Sequence, residues 1–343
     1  MQKVLVTGGT GFIGSHTVVE LIKSGYQVVI LDNLSNSNEF ILNGIEKIVG
    51  FKPPFYKADC TKPDELAKVF NEHHDINGVI HFAAYKAVKE SIEKPLEYYQ
   101  NNLLSLIQLL NQMGEAKVNN LVFSSSCTIY GEKATLPYHE ELPMTPTTSP
   151  YGRTKQMCES IIADYANINN DFKYISLRYF NPIGAHPSGV IGELPIGTPN
   201  NLIPYITQTA AGVRDELKVF GDDYPTPDGT AMRDYIDVVD LAKAHVKSID
   251  RIFTKPNFPN FEAFNLGSGE GVSVKEVIET FERENNIQLK WSYAPRRVGD
   301  IPLIYADTKK ARKELGWTAS TPLAQSLKNA WKWEKMYRDT HTL

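Results

Sequence analysis

The chain reads as an α/β protein: a Rossmann-type, doubly wound parallel sheet followed by a smaller C-terminal α/β substrate domain. Three observations predict this. Short apolar runs alternate with longer amphipathic segments over roughly the first 180 residues. The first apolar run enters a turn with glycines three apart, and an acid closes the second. Beyond Phe180 the alternation gives way to loops rich in Pro and Gly.

In order, the apolar runs Lys3–Thr7, Gln27–Leu31, Pro54–Lys57, Gly78–Phe82, Asn120–Ser124 and Lys173–Arg178 predict strands. The amphipathic segments Ser15–Ser24, Pro63–Glu72, Tyr98–Met113 and Tyr151–Asn167 predict helices between them. Such alternation implies right-handed crossovers and a parallel sheet. Asn181–Pro204 carries loops of the kind that form substrate surfaces. Short elements then resume and end in a helix around Leu323–Met336. The expected division is 1–180 for the nucleotide-binding domain and 181–343 for the substrate domain, with the chain free to cross back.

A length of 343 residues is enough for a full core. A net charge of -4 offers no ground for a nucleic-acid or membrane-surface partner. Cys60, Cys127 and Cys158 have no metal-ligand spacing and an odd count, so reduced thiols in a cytoplasmic protein are expected, with no metal site. The first strand begins too early for a signal peptide, and no apolar run approaches a membrane span.

The run Val4-Leu5-Val6-Thr7-Gly8-Gly9-Thr10-Gly11-Phe12-Ile13-Gly14 carries the first chemistry. Gly8 suits the tight turn, Gly11 the close approach of backbone to a pyrophosphate, and Gly14 the packing of helix on strand. The following helix N-terminus presents N–H groups and a positive dipole end to phosphate. Asp32 closes the second strand, placed to accept from ribose hydroxyls, which favours NAD over NADP.

The second chemistry lies at Ser149-Pro150-Tyr151-Gly152-Arg153-Thr154-Lys155. Tyr151 and Lys155 stand one turn apart on one helix face. An ammonium nearby lowers a tyrosine pKa, and a phenolate is a useful base for a sugar hydroxyl. The spacing alone is cheap, since Tyr85/Lys89 and Tyr305/Lys309 repeat it. Only the middle pair follows a strand ending in Ser124-Ser125-Ser126 and opens a proline-marked helix. Ligands of doubly wound sheets sit at such strand ends, so Ser126 is expected beside Tyr151.

The glycine run, the serine cluster and Tyr151/Lys155 together resemble the extended short-chain dehydrogenase/reductase superfamily. Further runs resemble its UDP-glucose 4-epimerase family: His81-Phe82-Ala83-Ala84, Pro95–Asn102, Arg178–Pro187, Pro199-Asn200-Asn201-Leu202, Arg233-Asp234-Tyr235-Ile236 and Pro295–Asp300. The resemblance extends to about Trp317. It implies retained NAD and interconversion of UDP-galactose and UDP-glucose through a 4-keto sugar, with Tyr151 as base, Ser126 assisting and Lys155 tuning. It implies Gly8, Gly11, Phe12, Ile13 and Gly14 at the pyrophosphate, Asp32, Asn33, Asn36 and Ser37 at the adenosine ribose, and Asp59 and Cys60 at the adenine. Phe82, Ala83 and Ala84 line the cofactor groove, Asn101 reaches its phosphates, Lys86 the nicotinamide ribose or sugar, and Phe180 supports the nicotinamide. The same resemblance assigns Asn181, Asn201, Leu202, Arg233, Tyr235, Arg297 and Asp300 to the UDP-sugar, and implies a homodimer through the helices near Tyr98–Met113 and Tyr151–Asn167.

Two departures bear on activity. Sugar-nucleotide dehydratases of the superfamily carry an Asp-Glu pair after the serine or threonine strand, whereas this chain has Cys127-Thr128. The gate residue behind the sugar 2-position matches Ile304, intermediate between a Tyr that restricts substrates to the plain sugars and a small residue that admits UDP-GalNAc and UDP-GlcNAc. Three alternatives stand beside the epimerase reading: an NAD-dependent dehydratase, a one-way sugar-nucleotide dehydrogenase and a non-catalytic NAD-binding regulatory protein.

Overall fold

The computed structural model describes residues 1–132, 134–297 and 300–341; Val298 and Gly299 of the Pro295–Asp300 run lie outside the described residues. In chain order its strands are β1 (Lys3–Thr7), β2 (Gln27–Asp32), β3 (Phe55–Lys57), β4 (Ile76–His81), β5 (Asn120–Ser126), β6 (Lys173–Tyr179), β7 (Asn181–Ile183), β8 (Leu217–Phe220), β9 (Met232–Arg233), β10 (Tyr235–Asp237), β11 (Phe261–Leu266), β12 (Val272–Ser273), β13 (Trp291–Ala294) and β14 (Leu303–Ile304). Its α-helices are α1 (Phe12–Lys23), α2 (Ile41–Val49), α3 (Pro63–Glu72), α4 (Val88–Glu93), α5 (Pro95–Glu115), α6 (Pro150–Ile168), α7 (Leu202–Ala210), α8 (Val238–Thr254), α9 (Val274–Asn285) and α10 (Leu323–His341).

Seven strands form one parallel sheet in the order β11-β6-β5-β4-β1-β2-β3. The order reverses between β1 and β4, and a ligand crevice opens at the carboxyl ends beside such a switch point. The sheet is apolar on both faces, as a sheet covered by helices must be. One face packs Val4, Val6, Ile30 and Ile80 against α1 and α8. The other packs Leu5, Val29, Val79 and Leu121 against α3, α5 and α6.

The expected strands are all present. β5 runs two residues further than expected, because Ser125 and Ser126 continue the pairing with Arg178 and Tyr179. The chain also crosses back: β11, far beyond Phe180, pairs with β6 along Phe261–Leu266 and completes the sheet edge. The helix α8 likewise packs on α1. A separate apolar cluster, centred on Ile206, Val277, Ile278, Phe281 and Leu327, joins α7, α9 and α10.

Candidate active site

The glycine turn is tight. Gly8 has φ +70°, in the left-handed region that glycine favours. A Cβ on Gly14 would lie 2.1 Å from the Gly8 carbonyl oxygen, so only glycine lets α1 come this close to the turn. Gly8 N–H donates to the Leu31 carbonyl at 2.7 Å, locking the turn to β2. The α1 N-terminus has no side-chain cap and no acid in its first turn. Its N–H groups at Phe12, Ile13 and Gly14 precede the first intrahelical bond, Ser15 N–H to Gly11 O at 2.9 Å. This is a site built for an anion.

Asp32 is buried at the end of β2. Its carboxylate accepts from Thr10 N–H at 3.1 Å, Leu34 N–H at 2.9 Å and the Ser37 hydroxyl at 3.1 Å. Those bonds hold it rigidly and leave acceptor capacity for a diol. Asn33 donates to Asp59 at 3.3 Å, so the segments that follow β2 and β3 are tied together. Burial pushes the Cys60 thiol well above its ordinary range, leaving it apolar in behaviour.

Helix α6 is started by Ser149, whose hydroxyl accepts from Gly152 N–H at 3.1 Å, and by Pro150 at its first position. Such a cap is worth about 1 kcal/mol. It fixes where Tyr151 and Lys155 face β5. Further along, Glu159 accepts from Ser125 at 2.5 Å and from Arg178 at 3.1 and 2.7 Å, a buried network that pins the helix to β5 and β6.

Lys155 is 4% exposed. Its ammonium donates to the Ser124 carbonyl at 2.6 Å and lies 4.9 Å from the Phe123 ring centre. Burial lowers its pKa to about 8. Tyr151 behaves differently from expectation. Burial pushes its phenol up to about 12, and the hydrogen bond with Ser126 only partly offsets this. The Lys155 ammonium stands 6.0 Å from the Tyr151 ring centre and is engaged by Ser124, so the expected lowering does not come from the protein alone. Ser126 Oγ accepts from Thr128 N–H at 3.2 Å and Thr128 Oγ1 at 3.1 Å. Its own proton goes to the Tyr151 oxygen, in the hydrogen bond that partly offsets burial there.

One cleft of about 880 Å³ brings these parts together. Its walls carry Gly8, Gly11, Phe12, Ile13, Gly14, Asp32, Asn33, Asn36, Ser37, Asp59, Cys60, Phe82, Ala83, Ala84, Lys86, Asn101 and Phe180, then Ser126, Tyr151 and Lys155, then Asn181, Asn201, Arg233 and Ile304. Leu202, Tyr235, Arg297 and Asp300 do not reach that lining. Leu202 and Tyr235 pack against the α7–α9–α10 cluster. Arg297 stacks its guanidinium 4.1 Å from the Phe220 ring centre. Asp300 accepts from Arg233 at 2.7 Å, while Arg233 also donates to the Met232 and Ile301 carbonyls at 2.9 and 2.7 Å.

Other cleft residues carry weak sequence signals. Thr10 hides inside the glycine run, Tyr179 ends an apolar strand, and Glu193 sits in a Pro/Gly-rich loop. Asn102 rather than Asn101 pins the loop after β4: it accepts from Tyr85 N–H at 2.8 Å, and donates to Tyr85 O at 3.0 Å and Thr154 Oγ1 at 3.1 Å. Neighbouring asparagines on one helix give no local cue to which faces inward.

Among the described residues no group of three or more His, Cys, Asp or Glu is arranged to hold a metal ion. None of the described helices is long and apolar enough to cross a membrane. The uncapped helix end, the glycine cradle that a Cβ would fill and the fixed Asp32 carboxylate fit a dinucleotide.

Comparison with known proteins agrees. Residues 4–267 match the family described as the NAD dependent epimerase/dehydratase family. The chain is 50% identical over 333 residues to the UDP-glucose 4-epimerase of Neisseria meningitidis serogroup B, covering 97% of each. Its fold superposes with a TM-score of 0.95 on the UDP-glucose-4-epimerase of Stenotrophomonas maltophila with bound NAD and formylated UDP-arabinopyranose, at 45% identity, covering 99% of this chain and 100% of that one. The Bifidobacterium longum UDP-glucose 4-epimerase in complex with NAD+ and UDP gives a TM-score of 0.93 at 45% identity, covering 98% of each chain. The chain belongs to the NAD dependent epimerase/dehydratase family.

Proposed function

We propose that this protein interconverts UDP-galactose and UDP-glucose through a 4-keto sugar, using NAD that it retains. The observation that carries this reading is the single cleft: an anion-binding helix end and a fixed carboxylate at one end, Ser126, Tyr151 and Lys155 in the middle, and Asn181, Asn201 and Arg233 beyond. Held by the glycine turn, the α1 N-terminus and Asp32, NAD would supply reversible hydride exchange with sugar C4.

The chain's own residues do the rest. Tyr151 Oη takes the proton of the sugar 4-hydroxyl and gives it back after the sugar turns. Ser126 donates to the same oxygen. Lys155 holds a ribose and supplies positive charge below its lowered pKa. Arg233 grips the diphosphate, its fork pre-set by Asp300 and the Ile301 carbonyl. Leu202, Tyr235, Arg297 and Asp300 belong to the UDP end, and the sheet division supplies cofactor binding while the α7–α9–α10 region supplies the UDP site. Ile304, on the cleft wall and packed against the cluster of Tyr130, Tyr138 and Phe180, is less bulky than a Tyr, which supports some acceptance of N-acetyl sugars.

Dehydration is disfavoured by Cys127-Thr128. Burial raises the Cys127 thiol to about 12, and Thr128 is committed to Ser126, so neither supplies an acid–base pair. A regulatory role is disfavoured by the intact Tyr151, Lys155 and Ser126. Exposed Ile107 and Met157, on the packed helices α5 and α6, support a homodimer through that face. Three free thiols support a cytoplasmic location.

The test is conversion of UDP-galactose to UDP-glucose by purified protein with no added NAD. Turnover is expected; its absence with and without added NAD would overturn the reading.

A further inference from the structure

We propose that Glu193 is a positioning residue that pre-sets two side chains for a diphosphate-linked sugar; this rests on the function proposed above. Its carboxylate ties two cleft residues together. A single oxygen, Oε1, accepts from Lys86 Nζ at 3.1 Å and from Asn201 Nδ2 at 2.7 Å. The partners come from distant parts of the chain: Lys86 from the loop after β4, and Asn201 from the residue before α7. All three line the cleft.

Glu193 itself is held from behind. Its carbonyl accepts from Trp333 Nε1 at 3.0 Å. A Cβ on the preceding Gly192 would lie 2.4 Å from the Trp333 ring, so that ring packs directly on the backbone. The turn before it is closed by the Ala185–Gly192 bridge and by His186 N–H to Ile191 O at 3.2 Å. The Glu193 side chain is 10% exposed, against 46% for Lys86, so the fixed partner is the acid.

The donor inventory separates positioning from blocking. An ammonium has three N–H donors and a primary amide two. Each gives one to Glu193, leaving two and one for an anionic ligand. Glu193 thus orients both groups without exhausting them and offsets the positive charge of Lys86 until a diphosphate arrives. Ordering two such side chains in advance is worth about tenfold in affinity.

The experiment compares wild type with Glu193→Ala and Glu193→Gln. It reads KM and kcat for UDP-galactose, calorimetric affinity for UDP-glucose, and Tm. Glu193→Ala is expected to raise KM and weaken UDP-glucose binding about tenfold, with kcat within about twofold and Tm unchanged. Glu193→Gln keeps the acceptor and is expected to recover most of the loss. Unchanged or tighter binding in Glu193→Ala would overturn the proposal, tighter binding marking Glu193 as a competitor of substrate. A fall in kcat matched by a lower Tm, with no recovery in Glu193→Gln, would also overturn it, as a purely structural role. Failure of wild type to turn over UDP-galactose would sink the function instead, and the UDP-glucose titration would still test Glu193.

Discussion

Gly14→Ala tests the cofactor cradle. The new Cβ would fall 2.1 Å from Gly8 O, 2.9 Å from Gly9 Cα and 3.0 Å from the Gly8 carbonyl carbon, where ordinary contact begins at 3.4 Å. Helix and turn must separate by more than 1 Å. The turn is also closely flanked by the chain after β4, since a Cβ on Gly8 would lie 2.8 Å from Ala83 N. Overpacking of this kind costs about 1–3 kcal/mol of stability. A shift of that size also breaks at least one N–H contact to phosphate, worth about 1.5–3 kcal/mol for a charged acceptor. Affinity for NAD is then expected to fall at least about tenfold. The assay is NAD released on denaturing the purified protein, with added-NAD titration and Tm beside it. A variant with wild-type NAD content, affinity and Tm would refute this geometry of the turn.

Tyr151→Phe is expected to fold and keep NAD while losing about 10²–10⁴-fold in kcat, the usual contribution of a positioned acid–base group; near-wild-type turnover would remove Tyr151 from that role. Ile304→Tyr is expected to lower the ratio of N-acetyl to plain-sugar activity by an amount corresponding to about 1–3 kcal/mol; an unchanged ratio would dissociate Ile304 from sugar selection. Lys155, held near 8 against an ordinary 10.5, binds its proton less tightly folded than unfolded. Its contribution to stability therefore rises as pH increases from about 8 to 10.5, by about 3 kcal/mol in all, and is fully adverse below 8. Unfolding of Lys155→Met, measured against wild type across that window, should lack this rise; parallel pH profiles would contradict it.

Local chemistry made the Rossmann half legible. The glycine spacing, the acid at the end of β2 and the Ser149-Pro150 helix start are each set by residues close together in sequence, so their consequences follow from backbone rules. The positions of Tyr151, Lys155 and Ser126 in one cleft followed from two such elements meeting at strand ends. What could not be read lay in long-range pairings. Phe261–Leu266 is a strand-like run, but nothing local says that it completes the sheet beside β6. Arg233 and Asp300 stand 67 residues apart, and nothing local to either says that they form a 2.7 Å pair. Glu193 meets Lys86 across 107 residues. The phenol of Tyr151 shows the same limit in electrostatics. Spacing puts Lys155 one turn away, but burial decides the pKa, with the Ser126 hydrogen bond only partly offsetting it.

The most direct measurement follows deuterium placed at C4 of UDP-galactose through a single conversion with the NAD-retaining protein. Internal oxidation and return at C4 predicts UDP-glucose carrying the deuterium at C4, with none in solvent and no free NADH. Loss of the label to water, or its appearance in released NADH, would contradict a closed redox cycle at that carbon.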